Sequence, residues 1–411
     1  MSQTMTSPAL PARRARRLSF AWLAERLLAR MVAGRLSVRL PDGRTLTAAG
    51  AAPGPEATVI LQRWRPLRRL LIEGDIGFAE AYVDGDWTTP DLATLLEVGA
   101  RNQNAIGFDA GFAVRLLRRL AHRRRDNTRS GSRRNVRAHY DIGNEFYREW
   151  LDSGMTYSSA LYTRNDESLE DAQVAKLDAM IAALSLAGGE QVLEIGCGWG
   201  SLAERLAARG ASVTGLTLSP AQRAYATARM AASGFAAGVE LRLQDYRDVT
   251  GRFDRIVSVE MLEAVGEAYW PTFFRRLAMC LVPDGIGVLQ FISIAEDRFD
   301  AYRAGVDFIQ AHIFPGGLLP TVTAMQREAE RAGLVLETVT QFAASYAATL
   351  AEWRRRFHAA WPRIAARGFD ERFRRKWEYY LAYCEAGFRS GLLNVGIYRL
   401  HPVHAGPDAA S

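Results

Sequence analysis

The sequence predicts an α/β fold: a Rossmann-like, mostly parallel seven-stranded sheet with lid insertions and a small N-terminal α+β domain. Three observations point there. An apolar segment at 191–195 runs into Gly196-Cys197-Gly198-Trp199-Gly200 and then into an amphipathic stretch at 201–209, a strand, a glycine turn and a helix in succession. Strand-like apolar runs recur at 211–218, 239–243, 255–259, 285–292, 334–339 and 394–400. Helical patterns lie between most of them, and alternating β and α elements predict a mainly parallel sheet covered on both faces. Ligands of such sheets sit beyond the carboxyl ends of the strands.

The glycine turn has the form of a nucleotide-cofactor cradle. Glycine admits a ligand where a Cβ would clash, and the following helix N-terminus offers free N–H groups. A dinucleotide fingerprint needs G-x-G-x-x-G and an acid about 20 residues on. Here the spacing is G-x-G-x-G, Ser201 stands where the third glycine belongs, and 211–218 carries no Asp or Glu. A phosphate-binding loop is excluded too, since no Gly-Lys-Ser/Thr follows. Glu194, Gly196, Gly198 and Gly200 spell E-x-G-x-G-x-G, the pattern of class I S-adenosylmethionine (SAM) methyltransferases. Glu194 would position the amino end of the cofactor's methionine, and the glycines would admit that moiety. Asp245, just after the third strand, is placed to accept from an adenine amino group; the alternative is a solvated loop acid.

A wider set of motifs carries a more specific resemblance. HYDIGNEFY (139–147), MTYSSALY (155–162), SLEDAQVAKLD (168–178), VLEIGCGWGSLA (192–203), VTGLTLSPAQ (213–222), LQDYRD (243–248) and FDRIVSVEMLEAVG (253–266) occur in order. IFPGGLLP (313–320), an aromatic block from Tyr346 through Trp361, and WEYYLAYCEAGFR (377–389) follow. Together they resemble the cyclopropane-fatty-acyl-phospholipid synthases over nearly all of 135–400, and more weakly at GDIGFAEAYVDGDW (74–87). The resemblance implies a SAM-dependent enzyme that methylenates a cis double bond in the acyl chains of membrane phospholipids. It implies cofactor contacts from Tyr140, Tyr157, Ser158, Gly196, Thr217 and Gln222, with Ser219 and Gln244 in the same matching runs. Thr217 and Gln222 would take over ribose recognition from the missing acid. It also implies bicarbonate as a bound base. In that cradle Glu263, Ile292 and Tyr346 match the family, whereas Ser159 replaces a Cys and Gln290 a His. Both replacements keep hydrogen-bonding capacity but not the charge options of thiol or imidazole.

The chemistry explains why such groups are needed. An isolated alkene is a poor nucleophile, so π-bond, methyl and sulfur must be aligned and water excluded. Methyl transfer leaves a cation on the acyl chain, which aromatic faces stabilise by about 0.5–2 kcal/mol each. A base must then take a proton from the new methyl for the ring to close.

The 411 residues allow about two to three domains. The chain divides into a basic amphipathic segment at 1–33, a small α+β unit at 34–100, a basic linker at 101–136, the methyltransferase domain at 137–402 and a tail at 403–411. In the small unit, 34–40 alternates, Pro41-Asp42-Gly43 turns, and a second strand makes a hairpin; 67–96 reads as mostly helical. In the family this unit is lipid-associated. Aromatic insertions at 296–321 and 342–391 decorate the sheet and are expected to form an apolar tunnel or lid, with most of their aromatics serving as packing.

The net charge of +7 points to an anionic partner, a bilayer surface or nucleic acid. Arg118, Arg119, Arg123, Arg124, Arg125, Arg129, Arg133 and Arg134 crowd the linker. They read as a solvated charge run or as docking to anionic lipid; nucleic acid ranks last, since no binding motif accompanies them. The three cysteines, Cys197, Cys280 and Cys384, show no metal-like pairing and fit a reducing cytoplasm. No apolar run approaches about 18 residues, so no membrane span is expected. The expected location is the cytoplasm, peripherally on the inner face of the membrane, with homo-oligomers left open. Three other readings stand beside a cyclopropane synthase: a C-methyltransferase making methyl- or methylene-branched chains, a small-molecule methyltransferase, and a silent lipid-binding protein.

Overall fold

The computed structural model describes residues 20–106, 127–129, 131, 132, 134, 142–164 and 166–403. Tyr140, the N-terminal arginines, the tail from 404 and most of the arginine-rich linker lie outside the described residues.

Helix α1 (Phe20–Leu28) leads into a four-stranded sheet of β1 (Ala33–Arg39), β2 (Thr45–Ala49), β3 (Ala52–Leu61) and β4 (Trp87–Thr88), in the order β2-β1-β3-β4. The β1–β2 hairpin forms where the Pro-Asp-Gly turn predicts it, and Asp42 Oδ1 accepts from the Arg44 amide at 3.2 Å. β3 follows almost at once and pairs parallel with β1, although Pro53 and Pro55 obscure it as a strand. The expected long helix is interrupted. α2 (Arg65–Val83) breaks at Gly74, whose φ of +68° a side chain would rarely adopt, and β4 intervenes before α3 (Leu92–Arg101).

The larger sheet has seven strands in the order β10-β11-β9-β8-β5-β6-β7. These are β5 (Gln191–Ile195), β6 (Ser212–Thr217), β7 (Val239–Leu243), β8 (Phe253–Val259), β9 (Leu281–Ile294), β10 (Leu334–Gln341) and β11 (Leu393–Pro402). β5 through β9 pair parallel, while β11 pairs antiparallel with both β9 and β10 and so is the one reversed strand of this sheet. Successive residues of each strand face opposite layers. Val192, Val257 and Val288 join one core; Leu193, Ile256 and Leu289 join the other. The helices between them are α4 (Leu169–Leu184), α5 (Ser201–Ala208), α6 (Pro220–Ala232), α7 (Trp270–Cys280) and α8 (Val322–Arg331).

The excursion between β10 and β11 forms two long helices, α9 (Ala343–Ala365) and α10 (Glu371–Arg389), which pack together and join the two sheets. Arg375 donates to the carbonyls of Tyr82 and Trp87 at 2.6 and 2.9 Å, and Arg389 pairs with Glu97 at 2.9 Å. Tyr379 packs on Tyr82 and on Phe308 of the other insertion. One core cluster therefore runs from Val38, Val59 and Leu61 through Trp353 and Phe357 to Val192. Most aromatics of the excursion glue it in place, as expected: Phe146 meets Trp377 at 4.9 Å and Trp150 meets Trp353 at 5.6 Å.

Candidate active site

Chain order reverses at β5, which has β6 on one side and β8 on the other. Such a switch point opens a crevice beyond the strand ends. Here it holds a cavity of about 1010 Å³.

Gly196, Gly198 and Gly200 all take left-handed φ values, +87°, +53° and +87°. A Cβ on Gly198 would meet nothing within 4 Å, so its backbone faces open space in the cavity. A Cβ on Gly200 would stand 3.0 Å from that of Ala226. Gly200 thus brings α5 close to α6 and does not line the cavity, contrary to the expected ligand contact. Cys197 is buried against Gly215, where a Cβ would come within 3.1 Å of its own. Glu194 is buried, its Oε2 has no hydrogen-bond partner among the described residues, and burial pushes its carboxyl up to about 8 while Lys176 pulls it down. An orphaned acceptor beside exposed glycine backbone suits an ammonium donor such as the amino end of SAM's methionine, so these residues fit SAM.

Lys176 is a site residue that sequence reasoning missed. It is buried and donates to Ser158 Oγ at 2.7 Å. Burial lowers it to about 8 against the opposing pull of Glu260, Asp152 and Glu194. Its place on α4 in the SLEDAQVAKLD run, at the edge of the helix's buried face, was the available signal.

Ser158, Tyr157, Thr217, Gln222 and Gln244 line the cavity. The Tyr157 and Tyr380 hydroxyls lie 2.7 Å apart. Thr217 Oγ1 donates to Gln222 Oε1 at 2.9 Å. Ser219 does not reach the cavity; it caps α6, its Oγ accepting from the Gln222 amide at 3.2 Å. Asp245 reaches the cavity wall but is not an open acceptor. Arg247 donates to both its oxygens, at 2.9 and 2.7 Å, and also to the carbonyl of Asn127. That guanidinium holds the Asp245 carboxyl below its usual range against the opposing effect of burial.

The acidic end of the site centres on a residue the sequence reading passed over. β8 ends at Val259, and Glu260 follows with a φ of +46°, a strained value for a side-chain-bearing residue. Its amide donates to the carbonyl of Gln290 at 2.7 Å. Its carboxylate accepts from the Ser159 amide at 2.8 Å, Gln290 Nε2 at 2.8 Å and the Tyr346 hydroxyl at 2.6 Å. Glu263 lies on the next turn and accepts from the Ile292 amide at 2.5 Å, and its Oε2 has no hydrogen-bond partner among the described residues. Burial pushes both carboxyls up, Glu263 to about 8.

Glu263, Ile292, Tyr346, Ser159 and Gln290 do come together, but not as a cradle for bicarbonate. Three of the expected donors converge on Glu260, and the Ile292 amide is taken by Glu263. The Ser159 hydroxyl turns away and donates to the carbonyl of Ala160 at 2.9 Å, so Ser159 contributes its amide and not its side chain. These residues do not fit a bicarbonate ion held by those groups. The signal for Glu260 was its place directly after an apolar strand at the switch point.

The same cavity is lined by Tyr346 and Phe388 and by Leu36, Val38, Val59 and Leu61 of the small sheet. Among the described residues no group of three or more His, Cys, Asp or Glu is placed to hold a metal ion.

The family model for mycolic acid cyclopropane synthetase matches residues 127–397. The chain belongs to this family. Relatives match it across most of its length. It is 40% identical over 400 residues to the tuberculostearic acid methyltransferase UfaA1 of Mycobacterium tuberculosis, covering 94% of this chain and 92% of that one. It is 37% identical over 355 residues to the cyclopropane-fatty-acyl-phospholipid synthase of Escherichia coli K12, covering 84% and 88%. The structure of mycolic acid cyclopropane synthase CmaA1, complexed with SAH and CTAB, superposes with a TM-score of 0.60 at 30% identity, over 65% of this chain and 97% of that one. This cyclopropane synthase family member is a SAM-dependent methyltransferase, with SAM as its methyl donor.

Proposed function

We propose that this enzyme transfers a methyl group from SAM to the cis double bond of an unsaturated acyl chain of a membrane phospholipid, and that loss of a proton from that methyl closes a cyclopropane. One observation carries the reading. A single cavity is lined by Glu194 and Gly198, by Glu260 and Glu263, and by the apolar side chains of Leu36, Val38, Val59 and Leu61. Bound SAM would supply an electrophilic methyl on a sulfonium. Glu194 would hold its amino end, Tyr157 and Ser158 would flank it, and the apolar wall would hold the chain and exclude water. Tyr346 and Phe388, stacked at 4.5 Å and both lining the cavity, would offer aromatic surface to a cation on the chain. The names of the E. coli and mycobacterial relatives support a lipid substrate.

A second reading is a methylene- or methyl-branched chain. Ser159 and Gln290, at the positions of the family's Cys and His, favour it, as does the identity with the tuberculostearic acid methyltransferase. Ring and methylene products both lose a proton from the new methyl. They differ in whether a hydride first migrates along the chain to the cationic carbon.

The small sheet would serve as the lipid-associated unit, with the enzyme held peripherally on an anionic cytoplasmic membrane face. α1 supports this only in part: it buries Ala21, Ala24 and Leu28, and it lines the cavity. No described helix is long and apolar enough to cross a membrane. The test is incubation with vesicles of cis-unsaturated phospholipid and methyl-labelled SAM, with acyl products resolved by mass spectrometry and NMR. A labelled acyl chain heavier by one CH2 is expected, and ring or vinylidene protons separate the two readings. Label confined to headgroups, or no label in lipid, would sink both.

A further inference from the structure

We propose that Glu260 is the built-in base of this enzyme: its carboxylate, fixed among Ser159, Gln290 and Tyr346, takes the proton from the newly transferred methyl, so that no bound inorganic anion is needed. The inference rests on the proposed acyl-alkene chemistry and deepens it.

Geometry comes first. Glu260 lines the same cavity as Gly196, Gly198 and the apolar side chains of the small sheet, and three hydrogen bonds hold its side chain there. They come from three separate parts of the chain: the 155–162 loop, β9 and α9. A left-handed φ at a glutamate persists only where the surroundings over-determine it. The same three donors would be the means of holding a small planar oxyanion. A side-chain carboxylate, itself a planar oxyanion, already satisfies them.

Charge separates the two glutamates. Burial pushes both up, but only two backbone amides, that of Ile292 and its own, relieve Glu263, which is also repelled by Glu260 and rises to about 8. Tyr346, Ser159, Lys176 and Gln290 all favour the charged form of Glu260. The donors around Glu260 therefore favour placing a proton shared by the pair on Glu263. Two neighbouring carboxyls with divergent surroundings are the usual mark of divided acid and base roles.

The step balances. The alkene π pair forms the new carbon–carbon bond as the methyl–sulfur bond breaks, and that bond's pair remains on sulfur as the neutral thioether. The other alkene carbon is left cationic. Glu260 takes one proton from the methyl, and the freed C–H pair closes onto the cation as the third ring bond. After a hydride shift to the cationic carbon, the same pair would instead form the carbon–carbon double bond of a methylene branch. The proton on Glu260 passes to water as the product leaves.

The experiment uses the full-length enzyme with cis-unsaturated phospholipid vesicles and labelled SAM, in buffer stripped of carbon dioxide. Wild-type turnover is expected to change less than about twofold when bicarbonate is added back. Glu260→Gln, which fills the same space without basicity, should lose about a hundredfold or more in turnover. It should bind S-adenosylhomocysteine normally, and bicarbonate should not restore it. Glu260→Gly empties the cradle; turnover should fall equally and recover at least about tenfold with bicarbonate. NMR of isotope-labelled bicarbonate should show saturable binding to Glu260→Gly and none to wild type. A wild-type enzyme that needs bicarbonate, or a Glu260→Gln enzyme of near-normal turnover, would overturn the assignment while leaving the proposed function standing. A wild type inert toward every alkene-bearing acyl chain would overturn both.

Discussion

The Tyr346 hydroxyl donates to Glu260 Oε2 across 2.6 Å and thereby ties the first turn of α9 to the end of β8. The bond joins the excursion, which lines the cavity through Tyr346, Tyr380 and Phe388, to the acidic pair of Glu260 and Glu263. Burial pushes the phenol far up, so it keeps its proton and donates it to Glu260. Tyr346→Phe removes a bond to a charged group, worth about 1.5–3 kcal/mol. Turnover should fall about ten- to a hundredfold, with S-adenosylhomocysteine affinity by calorimetry unchanged. An equal loss of cofactor affinity would show a structural role instead.

Glu194 gives cofactor binding a pH dependence. In the free enzyme burial holds its carboxyl at about 8, and a cationic cofactor favours the ionised form. SAM affinity should therefore rise with pH toward about 8 and then level, by at most about tenfold per unit. Calorimetry in two buffers of different ionisation enthalpy should show proton release below that point. Glu194→Gln should weaken binding and flatten the profile.

The same shifts bear on stability. Glu194 and Glu263 are protonated in the native state above the pH where an unfolded glutamate has already ionised. Their neutral forms contribute fully below 4.5, and that contribution is lost as pH rises through about 8. Denaturant unfolding of the cofactor-free enzyme should show it, and Glu263→Gln should remove part of the slope.

Two glycines of one motif should respond differently to alanine. At Gly198 the added methyl enters the cavity, so SAM affinity should fall while stability changes by only about 1–2 kcal/mol for the left-handed backbone. At Gly200 the methyl meets Ala226 at 3.0 Å and α5 must shift, so the melting temperature should fall further. Thermal melts paired with calorimetry separate the two.

Asp245→Ala should destabilise the fold more than it perturbs chemistry. It leaves Arg247, itself 8% exposed, without its carboxylate partner. Breaking a buried pair in this way costs about 3–5 kcal/mol. Urea unfolding measures the loss; a drop in cofactor affinity with intact stability would restore the adenine-contact reading.

Much of the fold was legible because it is written in local periodicity. Strands such as 191–195 and 239–243 are short apolar runs between amphipathic helices, and the Glu194-to-Gly200 run announces a cofactor turn by the φ values only glycine readily takes. β3 was hidden because its prolines disguise a strand that pairs only after β1 is in place. Ser219 and Gly200 looked like ligand contacts because a motif records position and not the direction a side chain points. Asp245 looked open because its partner Arg247 lies on the following turn, and that turn folds back only in three dimensions.

By itself the chain's order of residues determined the seven-stranded α/β scaffold, the SAM cradle and the family, since each rests on spacing along the backbone. Only tertiary structure decided which acid the donors serve. Ser159, Gln290 and Tyr346 are separated by scores of residues, and they meet on Glu260 because sheet pairing and helix packing carry them to one point. A hydrogen bond depends on that distance in space, which separation in sequence does not encode.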